Sequence, residues 1–135
     1  MRVALHIAVV DANPFQIHLH GHDFAILAQE SKKPYNASNV SLNLHNPQRR
    51  DVVLLPDDGY VVIAFKIDNP GAWLLHCHIA RHASEGLAMQ LLEDRKQAAA
   101  IWPPTDPDTV IAEKLCAEWK EWSHDRGFEL DDSGI

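Results

Sequence analysis

The sequence predicts an all-β domain with a helical extension that wraps its core. Two observations carry the first half. Short runs rich in Val and Ile recur as far as Asp94, and Pro, Gly, Asn and Asp clusters separate them. The third observation concerns the tail. From Thr109 to Ser123 the apolar residues Val110, Ile111, Leu115, Trp119 and Trp122 recur at helical spacing. The boundary is placed between residues 1–94 and residues 95–135.

Each element follows from local pattern. Arg2–Val10 reads as a strand, and Asp11–Phe15, "DANPF", as a turn. The apolar stretch at the start is short, interrupted by His6, and lacks a clean small-residue cleavage site, so it reads as a strand rather than a leader. Ile17–His22 alternates histidine with other residues, and Asp23–Gln29 continues as an apolar strand. Glu30–Asn46 is a polar excursion with two sequons, at Asn36 and Asn39. Arg50–Leu55 and Tyr60–Ile67 are strands around the turn "PDDG", and "DNPG" at Asp68–Gly71 is a further turn. Ala72–Ile79 is a buried strand, Ala80–Gly86 a turn or short helix, and Leu87–Leu92 a closing strand. Asp106 or Asp108 is positioned to cap the tail helix.

Composition narrows the function classes. Hydrophobic content is 46% and charged content 23% across 135 residues, an ordinary globular balance. Net charge is −7, which argues against nucleic acid or an anionic membrane as a partner, because both favour a basic face. No apolar run is long enough for a transmembrane helix. Two cysteines, Cys77 and Cys116, say little by count alone.

The chemistry lies in two clusters, "IHLHGH" at Ile17–His22 and "HCHIARH" at His76–His82. In a strand, residues i and i+2 share a face and i+1 takes the other. His18 and His20 therefore point one way. His76 and His78 also share a face, and Cys77 is reversed. Two such strands side by side would gather four imidazoles. Neutral imidazole binds copper, zinc, iron and nickel, so geometry decides among them. His82, five residues beyond Cys77 and past a turn, is placed to fold back beside the thiol. One thiolate with histidine and a weak or absent axial ligand is the blue-copper pattern. A structural zinc site closes with four ligands, and a single Cys with histidines on opposite faces does not close one. The plainer alternative, polar residues on an exposed strand face, fits poorly with two tight histidine clusters, one of them around a cysteine.

These runs, together with "RRDVVLLP", "GYVVIAFKIDNPGAWLLHCHIA" and "HASEGLAMQLLE", resemble the last cupredoxin domain of fungal multicopper oxidases, the ascomycete laccases above all. The resemblance implies a cupredoxin-like Greek-key β-sandwich or barrel, incomplete at its N-terminus, preceded in the whole enzyme by further cupredoxin domains. It implies copper as cofactor, dioxygen and a small phenolic or aromatic substrate as reactants, and a secreted glycoprotein. His18 matches a type 2 ligand, and His20, His76 and His78 match type 3 ligands. Cys77 matches the type 1 thiolate, His82 a type 1 histidine, and Leu87 the non-coordinating axial position, which raises the potential. His76, Cys77 and His78 are then the catalytic path between coppers. His22 is no ligand; a supporting role suits it. Asp23 and Glu93 are ordinary hydrogen-bonding candidates. The segment around Cys116 resembles one whose cysteine forms a disulfide to the first domain, and the terminal "DSGI" resembles a C-terminal plug.

Two positions depart from the family pattern. The family motif opens with a type 1 histidine three residues before the type 2 one, and this chain has Phe15 there. Either the type 1 site lacks a ligand or another residue supplies it. Arg81 stands where an aromatic residue is common. The expected function is that of a laccase-like oxidase fragment. The rivals are a copper-binding cupredoxin remnant without turnover and a zinc hydrolase.

Overall fold

A computed structural model describes residues 2–8 and 14–125. The expected turn at Asp11–Phe15 and the terminal "DSGI" fall wholly or largely outside them. The chain order is β1 (Arg2–Ala8), β2 (Phe15–Leu19), β3 (Phe24–Glu30), β4 (Arg49–Arg50), β5 (Val52–Leu55), β6 (Tyr60–Lys66), β7 (Gly71–Cys77), α1 (Ala80–Ser84), β8 (Ala88–Glu93), α2 (Arg95–Ile101) and α3 (Pro107–Asp125).

Two four-stranded sheets form a sandwich, ordered β1-β6-β3-β4 and β5-β2-β7-β8. Every pairing is antiparallel. Side-chain alternation builds the core between the sheets. Ile17 and Leu19 of β2, Val53 and Leu55 of β5 and Leu75 of β7 come from one sheet. Phe24 of β3 and Val61, Ile63 and Phe65 of β6 meet them from the other. β6 is central to its sheet, and its first four residues are all buried, which explains its unbroken Tyr-Val-Val-Ile run. Burying these side chains is the main stabilising term, about 1.5–3 kcal/mol for each fully buried Val, Leu, Ile or Phe.

The structure differs from the sequence reading at Arg50–Leu55. That run is not one strand. It divides at Asp51 into β4, which pairs with β3, and β5, which pairs with β2 in the opposite sheet. The Asp51 carbonyl leaves the ladder and accepts from Leu19 N–H at 3.0 Å and from the His18 ring at 2.8 Å. The chain thus changes sheets to serve the first histidine cluster.

The tail is helical as expected. Asp106 caps α3, its Oδ1 accepting from Asp108 N–H and Thr109 N–H at 3.0 and 3.3 Å. The apolar stripe of α3 is exposed instead of buried against the core: Val110, Ile111, Leu115, Trp119 and Trp122 are between 38% and 58% exposed.

Candidate metal centre

β2 and β7 are neighbours, and their register sets the site. His18 lies directly opposite His76, and Ile17 lies opposite Cys77. Ile17, Leu19, Leu75 and Cys77 are buried toward the core. The histidines consequently occupy the outer face of the same sheet, and the thiol occupies the inner one.

On the outer face the imidazoles converge. The His18 ring lies 4.8 Å from His20, 5.6 Å from His76 and 5.5 Å from His78, centroid to centroid. The ligand atoms of His18, His20 and His76 all lie within 4.8 Å of one another, and His78 stacks on His76 at 5.7 Å. The backbone selects the tautomers. His18 Nδ1–H donates to Asp51 O at 2.8 Å, and His76 Nδ1–H donates to Cys77 O at 2.8 Å. Each then presents Nε2 to the cluster, the usual way a second hydrogen bond orients a metal-binding histidine. With its proton on Nδ1, His76 accepts at Nε2, and His20 Nε2–H is the donor across 3.0 Å. Burial holds the His20 pKa below the usual 6.5, and charge on His18, His76 and His78 lowers it further. The donor set therefore suits a cation: three imidazoles close together, two of them oriented from behind by backbone carbonyls.

The link between the clusters is tight as well. Gly21 separates His20 from His22 at φ +71°, and a Cβ there would come within 2.5 Å of the Trp73 ring. Asn69 donates from Nδ2 to Gly21 O at 2.9 Å and accepts from Trp73 Nε1 at 2.7 Å. His22 points away from the cluster, consistent with a supporting role. Its Nδ1–H meets His20 O at 3.1 Å, and its Nε2 lies 2.8 Å from Glu93 Oε1. Both side chains are 4% exposed, in ion-pair contact, with an alignment too poor for a hydrogen bond between those two atoms. Glu93 Oε2 also accepts from Asn69 N–H at 3.3 Å. Asp51 and this pairing escaped the sequence reading; Glu93 had only its place after an apolar strand to mark it. Asp23 is exposed.

On the inner face, Cys77 is fully buried and its Sγ lies 3.5 Å from His82 Nδ1. α1 begins three residues after Cys77 and carries His82 back toward the strand end. Leu87 is tied to both: its N–H donates to His82 O at 2.9 Å, and its carbonyl accepts from Cys77 N–H at 3.0 Å. Phe15 stands beside them, its ring 5.1 Å from that of His82 and edge-on to it. Arg81 instead faces outward and pairs with Glu85 at 2.9 Å.

A sandwich of this order, with a histidine cluster and a buried thiol on opposite faces of one ladder, defines a cupredoxin-like protein of copper type. The family model described as multicopper oxidase matches residues 3–97, and the chain belongs to that family. Laccase-2 of Botryotinia fuckeliana is 53% identical over 120 residues. Dihydrogeodin oxidase of Aspergillus terreus is 49% identical over 127. Each match covers 88% of this chain and 20% of the relative's length. The crystal structure of laccase from Botrytis aclada superposes with a TM-score of 0.79 at 48% identity, covering 99% of this chain and 25% of that one. Fet3p, a multicopper oxidase that functions in iron import, gives 0.77 at 27% identity over 86% of this chain and 24% of that one. The fold is thus the cupredoxin-like fold of these oxidases, and copper is the family's cofactor. Among the described residues, no helix is long and apolar enough to cross a membrane.

Proposed function

We propose that this chain supplies the copper-binding histidines of one cupredoxin unit in a laccase-like multicopper oxidase. The whole enzyme couples one-electron oxidation of phenolic or related aromatic substrates to four-electron reduction of dioxygen to water. One observation carries the reading: His18 stands opposite His76 in the β2–β7 ladder, with His20 and His78 beside them. Copper bound there supplies the redox chemistry of dioxygen reduction. The residues do the rest. His18 is held through Nδ1 by Asp51, His76 through Nδ1 by the Cys77 carbonyl, and His20 through its own carbonyl by His22. In this assignment His18 is the type 2 ligand, and His20, His76 and His78 are type 3 ligands. The outward face leaves room for a second ligand set from the preceding cupredoxin domains. The exposed sequon residues Asn36 and Asn39 agree with a secreted, glycosylated protein, and exposed Cys116 is free to form a disulfide with another domain.

The inner face fits its expected copper less well. Cys77, His82 and Leu87 stand together, but the trigonal blue-copper set needs a second histidine and Phe15 offers none. This favours a second reading for the chain as it stands: a copper-binding cupredoxin unit without turnover. Copper titration followed by oxygen uptake with a simple phenol, measured on the enzyme with all its cupredoxin domains, separates the two. Copper binding that His18→Ala and His76→Ala abolish, together with oxygen uptake, supports the oxidase. The same binding without uptake supports the second reading. Binding that ignores both substitutions rejects both.

A further inference from the structure

Among the described residues the inner face carries two donors where a blue copper site needs three, and the nature of the replacement decides what the pair can hold. Phe15 opens β2 and shares a face with Ile17 and Leu19, so it projects to the Cys77 side of the sheet. It is half-buried, packs against the hydrophobic core, and sets its ring edge-on to His82 at 5.1 Å. The third position around Cys77 Sγ and His82 Nδ1 is thus a hydrocarbon wall.

We propose that Cys77 and His82 form a two-donor site for a soft monovalent cation, copper(I) or silver(I), and that Phe15 is the residue that denies the site to copper(II). Three physical arguments converge. Thiolate is a soft donor and selects copper(I) over harder ions. Copper(II) in the blue geometry needs two imidazoles and one thiolate, and zinc needs four ligands, so neither set closes here. Charge decides in the same direction. Cys77 is fully buried and stands opposite Ile17 in the ladder. A thiolate with a monovalent cation is neutral, whereas a divalent ion leaves a net charge that burial opposes. Binding exchanges one bond for another without electron transfer. The Cys77 S–H proton passes to buffer as the sulfur–metal bond forms, and His82 donates its Nδ1 lone pair.

The site stands apart from the histidine cluster, so its test can fail while the proposed function survives. The experiment uses the full chain carrying Cys116→Ser, which leaves Cys77 as the single thiol. Silver(I) is titrated without oxygen in excess free histidine and counted by native mass spectrometry. The expected result is one silver ion retained, lost on Cys77→Ser and weakened at least tenfold on His82→Ala. Copper(II) added to the same chain is expected to bind the outer histidines without an intense visible thiolate band. Phe15→His is expected to create that band. An unsubstituted Phe15 chain that turns blue overturns the proposal. So does silver stoichiometry that Cys77→Ser leaves unchanged. A Phe15→His chain with native circular dichroism that stays colourless removes Phe15 as the deciding residue. Should that variant not fold, the first two measurements still decide the question.

Discussion

Protonating His20 brings charge into a space already shared by His18, His76 and His78. Its pKa lies below 6.5 because of burial first and then for that reason. Between the folded and unfolded values the unfolded chain holds more protons at this ring. Stability of the metal-free chain is therefore expected to fall as pH drops below about 6.5, and to stop falling below the folded value. Urea midpoints at pH 7.5 and pH 5 measure it, and His20→Gln should flatten the difference. A variant that kept the full dependence would assign it elsewhere. His22 and Glu93 give a second residue-scale prediction. Removing one partner of a buried pair strands the other, so Glu93→Ala is expected to cost about 3–5 kcal/mol in denaturant unfolding. Replacing both partners with apolar residues should recover most of that loss. A single-variant loss below about 1 kcal/mol would mean the pair is solvated in practice.

At the scale of elements, the alternation of "IHLH" and "LHCH" was legible because a strand has only two faces. The facing of His18 and His76 follows once β2 and β7 pair, and so does the reversal of Cys77. The division of Arg50–Leu55 was not legible. Its residues all favour strand, and what breaks it is one carbonyl drawn off by Leu19 and His18, residues more than thirty positions away. The His22–Glu93 contact is hidden for the same reason, since no periodicity links residues so far apart in the chain. The exposed face of α3 was likewise unreadable, because helical spacing reports a stripe and not what lies against it. The turn between β2 and β3 offers a direct test. Gly21→Ala meets both a positive φ and the Trp73 ring, which Asn69 holds in place. It is expected to cost about 1–3 kcal/mol in thermal or urea unfolding, and to weaken copper binding at the neighbouring His20. Unchanged copper affinity would show that the cluster tolerates a displaced turn.

Across the whole molecule, one sheet acts as a partition. Its outer face gathers nitrogen donors, and its inner face buries sulfur against a hydrocarbon core. A single β-ladder thereby keeps two kinds of donor atom a peptide's width apart, with His76, Cys77 and His78 consecutive in the chain. The same sheet ends at β8, which pairs with β7 on one side. Met89 and Leu92 on that strand are exposed at 55% and 61%. Among the described residues no strand pairs with its other edge, and a border strand with greasy side chains is a template for another chain to add to, which native proteins usually blunt with charge. On warming, solutions of this polypeptide are accordingly expected to cloud through β8-to-β8 contacts. Leu92→Lys should delay the rise in light scattering while leaving the unfolding midpoint nearly unmoved, so colloidal behaviour and fold stability would part company at that border.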